Sequence, residues 1–271
     1  MILVNGVAEN RINIADRGLQ YGDGLFETIA YRKGVAEFLD AHLTRLLNGC
    51  KRLAIPFQDI EILGAELNSL CHQLSDDAVI KIIITRGCGG RGYFADSSIE
   101  PTRIISSHPY PSHPNSNAVS GVRVRLCKQT LSENSSLAGI KHLNRLEQVL
   151  ARNEWDDSDI AEGLMFDQGN NVIEGTMSNV FIVKENQLLT PKVNKAGVAG
   201  IIRAHICKLA QQNGLTVEEK NLSKAELFTA DEIFVCNSII GIWPVSSIDN
   251  KIYATGPITK NLQQALAESA K

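Results

Sequence analysis

The chain has 271 residues, of which 44% are hydrophobic and 21% are charged. This is the composition of an ordinary globular protein of one or two domains, and it excludes a disordered, collagen-like, coiled-coil or disulfide-stapled chain. The 27 basic and 30 acidic residues give a net charge of −3, which lacks the basic excess typical of a nucleic-acid-binding protein. We therefore expect no nucleic-acid partner.

The N-terminus and the cysteines bear on compartment and metal content. The first six residues have neither a basic segment nor a long apolar stretch, so no signal peptide is predicted. The densest apolar run, 79–84, is interrupted by Lys81 and is far shorter than the ~20 residues of a membrane span. The six cysteines are scattered without a CxxC pair, which predicts reduced thiols and no zinc site. We expect a cytoplasmic protein without a membrane partner or a metal.

Apolar residues in the first third recur at the spacings of helices and strands. The pattern over 43–53 predicts an amphipathic helix, with Asp40 as its N-cap. A second apolar stripe predicts a helix over 60–74. The β-branched run 78–85 predicts a buried strand, and 103–106 predicts another.

A proline-rich stretch then separates two halves of the chain. Three prolines lie among polar residues between 107 and 117, as is typical of a linker. We expect an N-terminal α+β domain over 1–106, a linker region over 107–120 and a C-terminal cofactor-binding domain over 121–271.

Strands and helices continue to alternate in the second half. The predicted elements are, in order, a half-exposed strand over 122–126, a helix carrying Leu143, Leu146, Val149 and Leu150, strands at 164–166 and within 179–191 with a hairpin turn at 184–187, a helix from Gly200, a strand over 232–235 and a closing helix over 258–267.

The run Gly87-Cys88-Gly89-Gly90-Arg91-Gly92 matches the GxGxxG pattern after a predicted strand. A dinucleotide site also needs a helix that opens on the last glycine, and here Pro101 arrives too soon for that helix. The run is therefore predicted to be a hairpin loop, whose glycines let Arg91 approach a ligand closely. A nucleotide-dependent dehydrogenase or a non-catalytic binding protein stays open as an alternative of another class.

Three features of the second half predict one shared chemistry. Lys141 follows an apolar stretch, and loss of water favours the neutral amine that a Schiff base requires. Glu174 lies among strand-like apolar residues, where a buried carboxylate needs a partner such as a pyridinium nitrogen. The glycines at 197 and 200 lie where a helix begins, and its free N–H groups suit a phosphate. Each feature alone is weak, but together they predict pyridoxal 5'-phosphate.

The motifs around these residues make the chain resemble the fold type IV pyridoxal-phosphate enzymes, and within them the lyase branch. The motifs 174–181 and 200–203 belong to the whole fold type, whereas 89–93 and 141–147 are more particular to the lyases. The resemblance covers nearly the whole chain. It also includes the motifs Asp16–Thr28, His42–Leu46, Thr85–Tyr93 and Cys236–Ser238.

The resemblance implies an α+β fold with a smaller N-terminal α/β domain and a larger C-terminal barrel-like domain, in a homodimer. It implies that pyridoxal 5'-phosphate serves the conversion of 4-amino-4-deoxychorismate to 4-aminobenzoate and pyruvate, a step that feeds folate synthesis. A fold type IV aminotransferase for D-amino or branched-chain amino acids is the alternative. Phe26-Glu27 favours that alternative slightly, whereas Thr28 and the loop at 90–92 favour the lyase.

The resemblance also implies which residues hold the cofactor. Lys141 would form the Schiff base, and Glu174 would pair with the ring nitrogen. The phosphate would be bound by the guanidinium of Arg45, the backbone N–H groups of Ile201 and Ile202, and the hydroxyl of Ser238.

Contacts with the substrate are implied in the same way. Lys141 would act as the base, and Thr28 would relay a proton to the departing vinyl carbon. Asn237 would lie near the substrate ring and Arg91 against a carboxylate, with Arg145 as the other candidate for a carboxylate. The role of Glu27 stays open.

Overall fold

The computed structural model describes residues 1–269, which divide into two compact units. The first unit comprises Met1–Pro111 and Ile140–Asn144, and the second comprises Ser112–Gly139 and the described residues from Arg145 onward. The change of unit after Pro111 falls inside the predicted linker region. The segment Ile140–Asn144, which carries Lys141, belongs to the first unit, whereas our predicted boundaries put it in the C-terminal domain.

The first unit is built on an antiparallel sheet of six strands. Its elements are β1 (Ile2–Val4), β2 (Val7–Ala8), α1 (Arg17–Tyr21), β3 (Gly24–Arg32), β4 (Val35–Ala36), α2 (Leu39–Arg52), α3 (Ile60–Cys71), β5 (Ala78–Thr85) and β6 (Thr102–Pro109). The strands are ordered β2-β1-β6-β5-β3-β4, and every neighbouring pair is antiparallel. The predicted strand over 78–85 is confirmed.

Alternation along β3 and β5 gives this sheet two different faces. Leu25 and Ile29 of β3 point to one face, where they form the core with Leu46 of α2 and Leu63 of α3. Because successive strand residues point to opposite sides, Phe26 and Thr28, two residues apart, lie on the other face. That second face is only partly buried.

The predicted helix over 43–53 corresponds to α2, which ends at Arg52 with Leu53 as its C-cap, but the predicted N-cap at Asp40 is wrong. The helix begins two residues earlier than that N-cap implies, at Leu39, and its N-cap is Phe38, which has a φ of 53° and makes no side-chain cap. Asp40 lies instead in the first turn. A carboxylate there stabilises the positive end of the helix dipole.

The second unit contains one mixed sheet of ten strands within the described residues. Its elements are α4 (Ser116–Val119), β7 (Val122–Leu131), α5 (Leu146–Arg152), β8 (Ile160–Asp167), β9 (Asn171–Gly175), β10 (Asn179–Lys184), β11 (Gln187–Pro191), α6 (Ile201–Gln212), β12 (Thr216–Lys220), β13 (Leu222–Ser223), α7 (Lys224–Phe228), β14 (Glu232–Asn237), β15 (Gly241–Ile248), β16 (Lys251–Ile252) and α8 (Pro257–Ser269).

This sheet curls into a nearly closed barrel. The strand order is β12-β11-β10-β14-β15-β7-β8-β9-β13, with β16 paired to β15. Although β9 is far from β10 and β11 in that order, it lies against both of them. The expected barrel-like C-terminal part is therefore confirmed. Helices α6 and α8 pack on each other and on β14.

Most predicted elements of the second half are confirmed. The hairpin of β10 and β11 turns at Glu185 and Asn186, whose positive φ values of 50° and 61° suit a tight two-residue turn. The helix from Gly200, the strand over 232–235 and the closing helix correspond to α6, β14 and α8. The helix predicted to carry Leu143 starts only at Leu146. Across residues 1–269, no helix has both the length and the apolar character of a membrane span.

Candidate active site

Lys141 is held against the start of β3 by backbone hydrogen bonds. The N–H of Phe26 donates to the carbonyl of Lys141 at 3.0 Å, and the N–H of Leu143 donates to the carbonyl of Gly24 at 3.0 Å. These two bonds flank the lysine and fix its backbone relative to the strand. The backbone of Lys141 is consequently held by β3.

The amines of Lys141 and Lys81 lie near the same aromatic ring. The Nζ atom of Lys141 is 4.3 Å from the centre of the Phe26 ring, and that of Lys81 is 5.5 Å from it. Thr28 follows Phe26 by two residues and is registered opposite Lys81 on β5, so both lie on this face of the sheet. This group of Phe26, Thr28, Lys81 and Lys141 is called the β3 face cluster below.

Lys81 is a residue that the sequence analysis missed as a site candidate. It is half-buried, and no carboxylate in the described part of the chain forms an ion pair with it. A half-buried cation without a paired anion can bind an anionic ligand. The available signal was a lone lysine that interrupts an otherwise apolar strand.

Arg45 lies on the opposite, helix-covered face, where it is paired with Glu27. The Nε and Nη2 atoms of Arg45 donate to the two carboxylate oxygens of Glu27 at 2.8 and 2.5 Å, and His42 Nδ1 lies 2.6 Å from the same carboxylate. Glu27 and His42 are almost completely buried. Burial raises the pKa of Glu27, but the hydrogen bonds from His42 and Arg45 outweigh it and hold that pKa below 4.5.

The glycine-rich run forms the loop between the antiparallel strands β5 and β6, and no helix follows it. The prediction of a hairpin loop is therefore confirmed. Gly87 has a φ of 93°, and a Cβ there would lie 1.9 Å from the carbonyl oxygen of Glu100, so only glycine fits. Arg91 is exposed, and its side chain makes no hydrogen bond or ion pair to any residue from 1 to 269.

Glu174 is a buried carboxylate in strand β9 of the second unit. Its side chain is 4% exposed, and its Oε2 accepts a hydrogen bond of 2.7 Å from the N–H of Val198. Gln148 Nε2 lies 3.5 Å from Oε1. Gly197 has a φ of 82°, and a Cβ there would meet this carboxylate at 3.1 Å, which explains why glycine precedes Val198. Arg145 is within electrostatic range of Glu174.

Helix α6 presents a free N-terminus close to this carboxylate. Its N-cap, Gly200, is extended and offers no side-chain cap, so the first N–H groups, including those of Ile201 and Ile202, have no partner within the helix. A Cβ on Gly200 would lie 1.9 Å from Oδ1 of Asn179. Asn179 in turn donates to the carbonyl of Val198 at 2.9 Å. The arrangement suits a bound phosphate.

Asn237 and Ser238 form the turn between β14 and β15. The Oδ1 atom of Asn237 accepts hydrogen bonds from the N–H groups of Ile239 and Ile240 at 2.8 and 2.9 Å, and its Nδ2 donates to the carbonyl of Met177 at 3.0 Å. The amide of Asn237 therefore shapes the turn that carries Ser238. Its predicted contact with the substrate ring stays a prediction.

Each unit taken by itself contains groups of the kinds that bind pyridoxal 5'-phosphate. The first contains the amine of Lys141 and, on the opposite face of β3, the guanidinium of Arg45; the second contains the buried carboxylate of Glu174 and the helix N-terminus after Gly200. An aldehyde, a pyridine nitrogen and a phosphate require donors of these kinds. Within 1–269, no three His, Cys, Asp or Glu side chains are grouped as metal ligands.

Comparisons with known proteins point to one family. The family model described as amino-transferase class IV matches residues 24–248. The chain is 38% identical to an aminodeoxychorismate lyase of Vibrio harveyi over 97% of this chain and 98% of that protein. It is 32% identical to a D-alanine aminotransferase of Bacillus licheniformis over 99% of this chain and 96% of that protein.

A solved structure has the same fold over the whole length. The crystal structure of 4-amino-4-deoxychorismate lyase from Pseudomonas aeruginosa matches with a TM-score of 0.96 and 46% identity, covering 99% of this chain and 98% of that chain. The similarity therefore extends through both units.

Proposed function

The chain belongs to the amino-transferase class IV family, and we propose that it is a pyridoxal-phosphate-dependent lyase that converts 4-amino-4-deoxychorismate to 4-aminobenzoate and pyruvate. The observation that carries this proposal is the similarity to the lyases of Vibrio harveyi and Pseudomonas aeruginosa, at 38% and 46% identity over almost the entire chain. The β3 face cluster supports it, because a second amine, that of Lys81, lies beside the same Phe26 ring as Lys141 and is available for a substrate carboxylate.

The reaction is an elimination that needs no second substrate. One C–H bond and one C–O bond of the substrate ring break, the ring becomes aromatic, and one C–H bond forms on the vinyl carbon that becomes the methyl group of pyruvate. The amino group stays on the ring, so no acceptor is required. The bound cofactor supplies an electron sink for the ring carbon that loses its proton.

Two side chains of the β3 face cluster move protons in this scheme. In the resting enzyme the amine of Lys141 would hold the cofactor aldehyde. Once the bound substrate has released it, the same amine would take the proton from the ring carbon that bears nitrogen, which is the general-base role. The hydroxyl of Thr28 gives a proton to the departing vinyl carbon. Glu174 would keep the pyridine nitrogen of the cofactor protonated, because a buried carboxylate favours a cation beside it.

Cations and N–H groups hold the anionic parts. We assign the cofactor phosphate to the guanidinium of Arg45, the N–H groups of Ile201 and Ile202, and the hydroxyl of Ser238. We assign the substrate carboxylates to Arg91 and Lys81, both of which are cations without an ion-pair partner in the described chain. We place the turn that Asn237 shapes next to the substrate ring.

An aminotransferase for D-amino or branched-chain amino acids is the less supported function. The relatives with those names match at lower identity, 32% for the D-alanine enzyme and 33% for a branched-chain enzyme of Methanocaldococcus jannaschii.

The test is a product assay on purified protein with synthetic 4-amino-4-deoxychorismate. We expect 4-aminobenzoate and pyruvate in equal amounts without any added 2-oxo acid. Transamination of D-alanine or leucine, with no 4-aminobenzoate formed, would overturn the proposal. Borohydride treatment should abolish the yellow colour of the protein, whereas a nucleotide-dependent dehydrogenase or a simple binding protein would be colourless.

We also propose a cytoplasmic homodimer. An apolar stripe on α5, formed by Leu146, Val149 and Leu150, is 50–69% exposed, and such a stripe favours burial against a second copy. The six cysteines are free thiols, which suits a reducing compartment. For the domains we propose 1–106, a linker region over 107–120 and 121–271, with 140–144 grouped with the first.

A further inference from the structure

We infer that Arg17 is a positioning residue that fixes the glycine-rich loop 87–93, so that Arg91 is held in place for a substrate carboxylate. The inference rests on the proposed function of Arg91. Arg17 opens helix α1 inside the motif Asp16–Thr28, to which the proposed reaction assigns only Thr28. Arg17 and the whole loop lie within the first unit.

Arg17 binds both ends of the loop. Its backbone N–H donates to the carbonyl of Gly87 at 2.9 Å, where the loop leaves β5. Its guanidinium donates to the carbonyl of Gly92 through Nη1 at 3.0 Å and to that of Tyr93 through Nη2 at 2.8 Å. The two carbonyls directly follow Arg91 in the chain. One buried residue therefore fixes the loop backbone on both sides of Arg91.

The guanidinium of Arg17 is itself held rigidly. Arg17 is 3% exposed, its Nε donates to Asp23 at 3.0 Å, and its Cζ lies 4.9 Å from the centre of the Tyr21 ring. The rings of Tyr21 and Tyr93 pack edge to face with centroids 5.6 Å apart. A planar group fixed by a carboxylate and a ring presents its remaining donors in one direction.

The start of the loop has further ties, a β-bridge between Asp16 and Cys88 and a hydrogen bond of 3.0 Å from the N–H of Gly87 to Thr85 Oγ1, whereas Gly92 and Tyr93 are bound by the guanidinium of Arg17. Gly89 rests on the aliphatic part of Arg17, because a Cβ there would lie 3.0 Å from Cδ of Arg17. Gly92 has a φ of 85° and open space around it, so its backbone gains no packing. Glycine has more conformational freedom to lose than any other residue, and an unanchored loop of this composition would sample many shapes. The position of the Arg91 backbone, from which the side chain extends, is consequently set by these anchors.

The structure also provides a matched control. Asp23 accepts hydrogen bonds from Arg86 as well, at 2.7 Å from Nε and 3.1 Å from Nη2. The Arg86 side chain makes its other bonds to the carbonyls of Leu53 and Ala54, away from the loop. Asp23 therefore keeps one arginine partner in each of the single variants Arg17→Met and Arg86→Met. Of these two, only Arg17→Met removes the loop anchor.

The kinetic test compares KM and kcat for 4-amino-4-deoxychorismate in the holoenzyme. We expect Arg17→Met to raise KM about tenfold or more with a smaller change in kcat, because a carboxylate contact is lost in ground and transition states alike. Arg17→Lys, with one donor group instead of a fork, should fall between. Arg86→Met should lower the unfolding temperature and leave KM within about twofold.

A double-mutant cycle separates positioning from general damage. If Arg17 acts through Arg91, then Arg17→Met should change KM by less than about twofold when Arg91 is already methionine. If the two substitutions instead act independently, so that their fold-changes in KM multiply in the double variant, the inference is overturned. If Arg91→Met alone leaves KM unchanged, the proposed role of Arg91 fails instead.

A readout without substrate completes the test. Trypsin should cleave the Arg91–Gly92 bond slowly in the wild-type holoenzyme and in Arg86→Met, but at least about tenfold faster in Arg17→Met, because cleavage needs a loop that leaves its anchored shape. Cleavage at the wild-type rate in Arg17→Met would refute an anchoring role for Arg17, whatever the kinetics.

Discussion

The guanidinium of Arg45 and the carboxylate of Glu27 are joined by two hydrogen bonds, of 2.8 and 2.5 Å, on the buried face of the first sheet. His42 completes the group from the same helix. An arginine that binds a phosphate with part of its donors gains orientation when a carboxylate fixes the rest. This relationship gives Glu27 a physical role, which the sequence analysis left open.

Glu27→Gln should lower the free energy of unfolding by about 3 kcal/mol at pH 7, the scale for breaking a buried ion pair. The pKa of Glu27 is lowered in the folded protein, so its stabilisation is present above the unfolded value of 4.5 and is lost as pH falls through the folded value. Urea unfolding at pH 7, 5, 4 and 3 measures this. The gap between wild type and variant should narrow only below about pH 4.5; a gap that does not depend on pH contradicts the interpretation.

Lys141→Ala should form no 4-aminobenzoate and no covalent link to pyridoxal phosphate. After borohydride reduction, intact-mass measurement of the wild type should show the added cofactor, and the variant should show none. Lys81→Ala is the matched control, because its amine lies at the same Phe26 ring. A reduced cofactor adduct on Lys141→Ala, or no adduct on Lys81→Ala, would contradict the assignment of the Schiff base to Lys141.

Lys81→Met should raise KM for the dicarboxylate substrate by about tenfold or more, since a hydrogen bond to a charged group is worth ~1.5–3 kcal/mol. Lys81→Arg keeps the charge and should recover part of that loss. Steady-state kinetics at two ionic strengths would measure both variants. An unchanged KM in Lys81→Met would remove Lys81 from the substrate site.

Gly200→Ala should weaken cofactor binding and lower the unfolding temperature, because its Cβ would collide with Oδ1 of Asn179 at the start of α6. Titration of the apoprotein with pyridoxal phosphate and thermal unfolding would check this. Gly64→Ala is the control: Gly64 lies inside α3 with open space around it, and the change should stabilise by about 0.4–1 kcal/mol. Equal affinity in both variants would argue against a phosphate at this helix end.

Val149→Lys should shift the protein from dimer toward monomer, since it places a charge in the exposed apolar stripe of α5. Sedimentation equilibrium over a range of concentrations would measure the association. Val7→Lys changes an exposed valine on the edge strand β2 and should leave the association unchanged. A monomeric wild type would refute the homodimer directly.

The elements that could be predicted are those whose signal is local. The β-branched run 78–85 forms β5 as expected, and Glu185 and Asn186 turn the hairpin of β10 and β11. Sequence spacing gives no such signal for contacts between distant residues. The ion pair of Glu27 and Arg45 depends on the packing of α2 over β3.

The site was predicted as a set of residue types rather than as a geometry. The side chain of Lys81 became a candidate only once the register of β3 and β5 placed it opposite Thr28. The anchoring bonds from Arg17 to Gly92 and Tyr93 span about 75 residues of sequence, so no local pattern could reveal them. The prediction of Asp40 as the N-cap is wrong because the N-cap is Phe38, an apolar residue with positive φ, and sequence patterns favour a polar residue at that position.

The alternation of β3 makes its length less tolerant of change than its composition. Phe26 and Thr28 face the two lysines, while Glu27, between them, faces Arg45. Inserting or deleting one residue ahead of Phe26 would exchange the two faces for every following position. A single-codon insertion would therefore cost the protein its buried ion pair and its β3 face cluster together, whereas most point substitutions would affect only one of them.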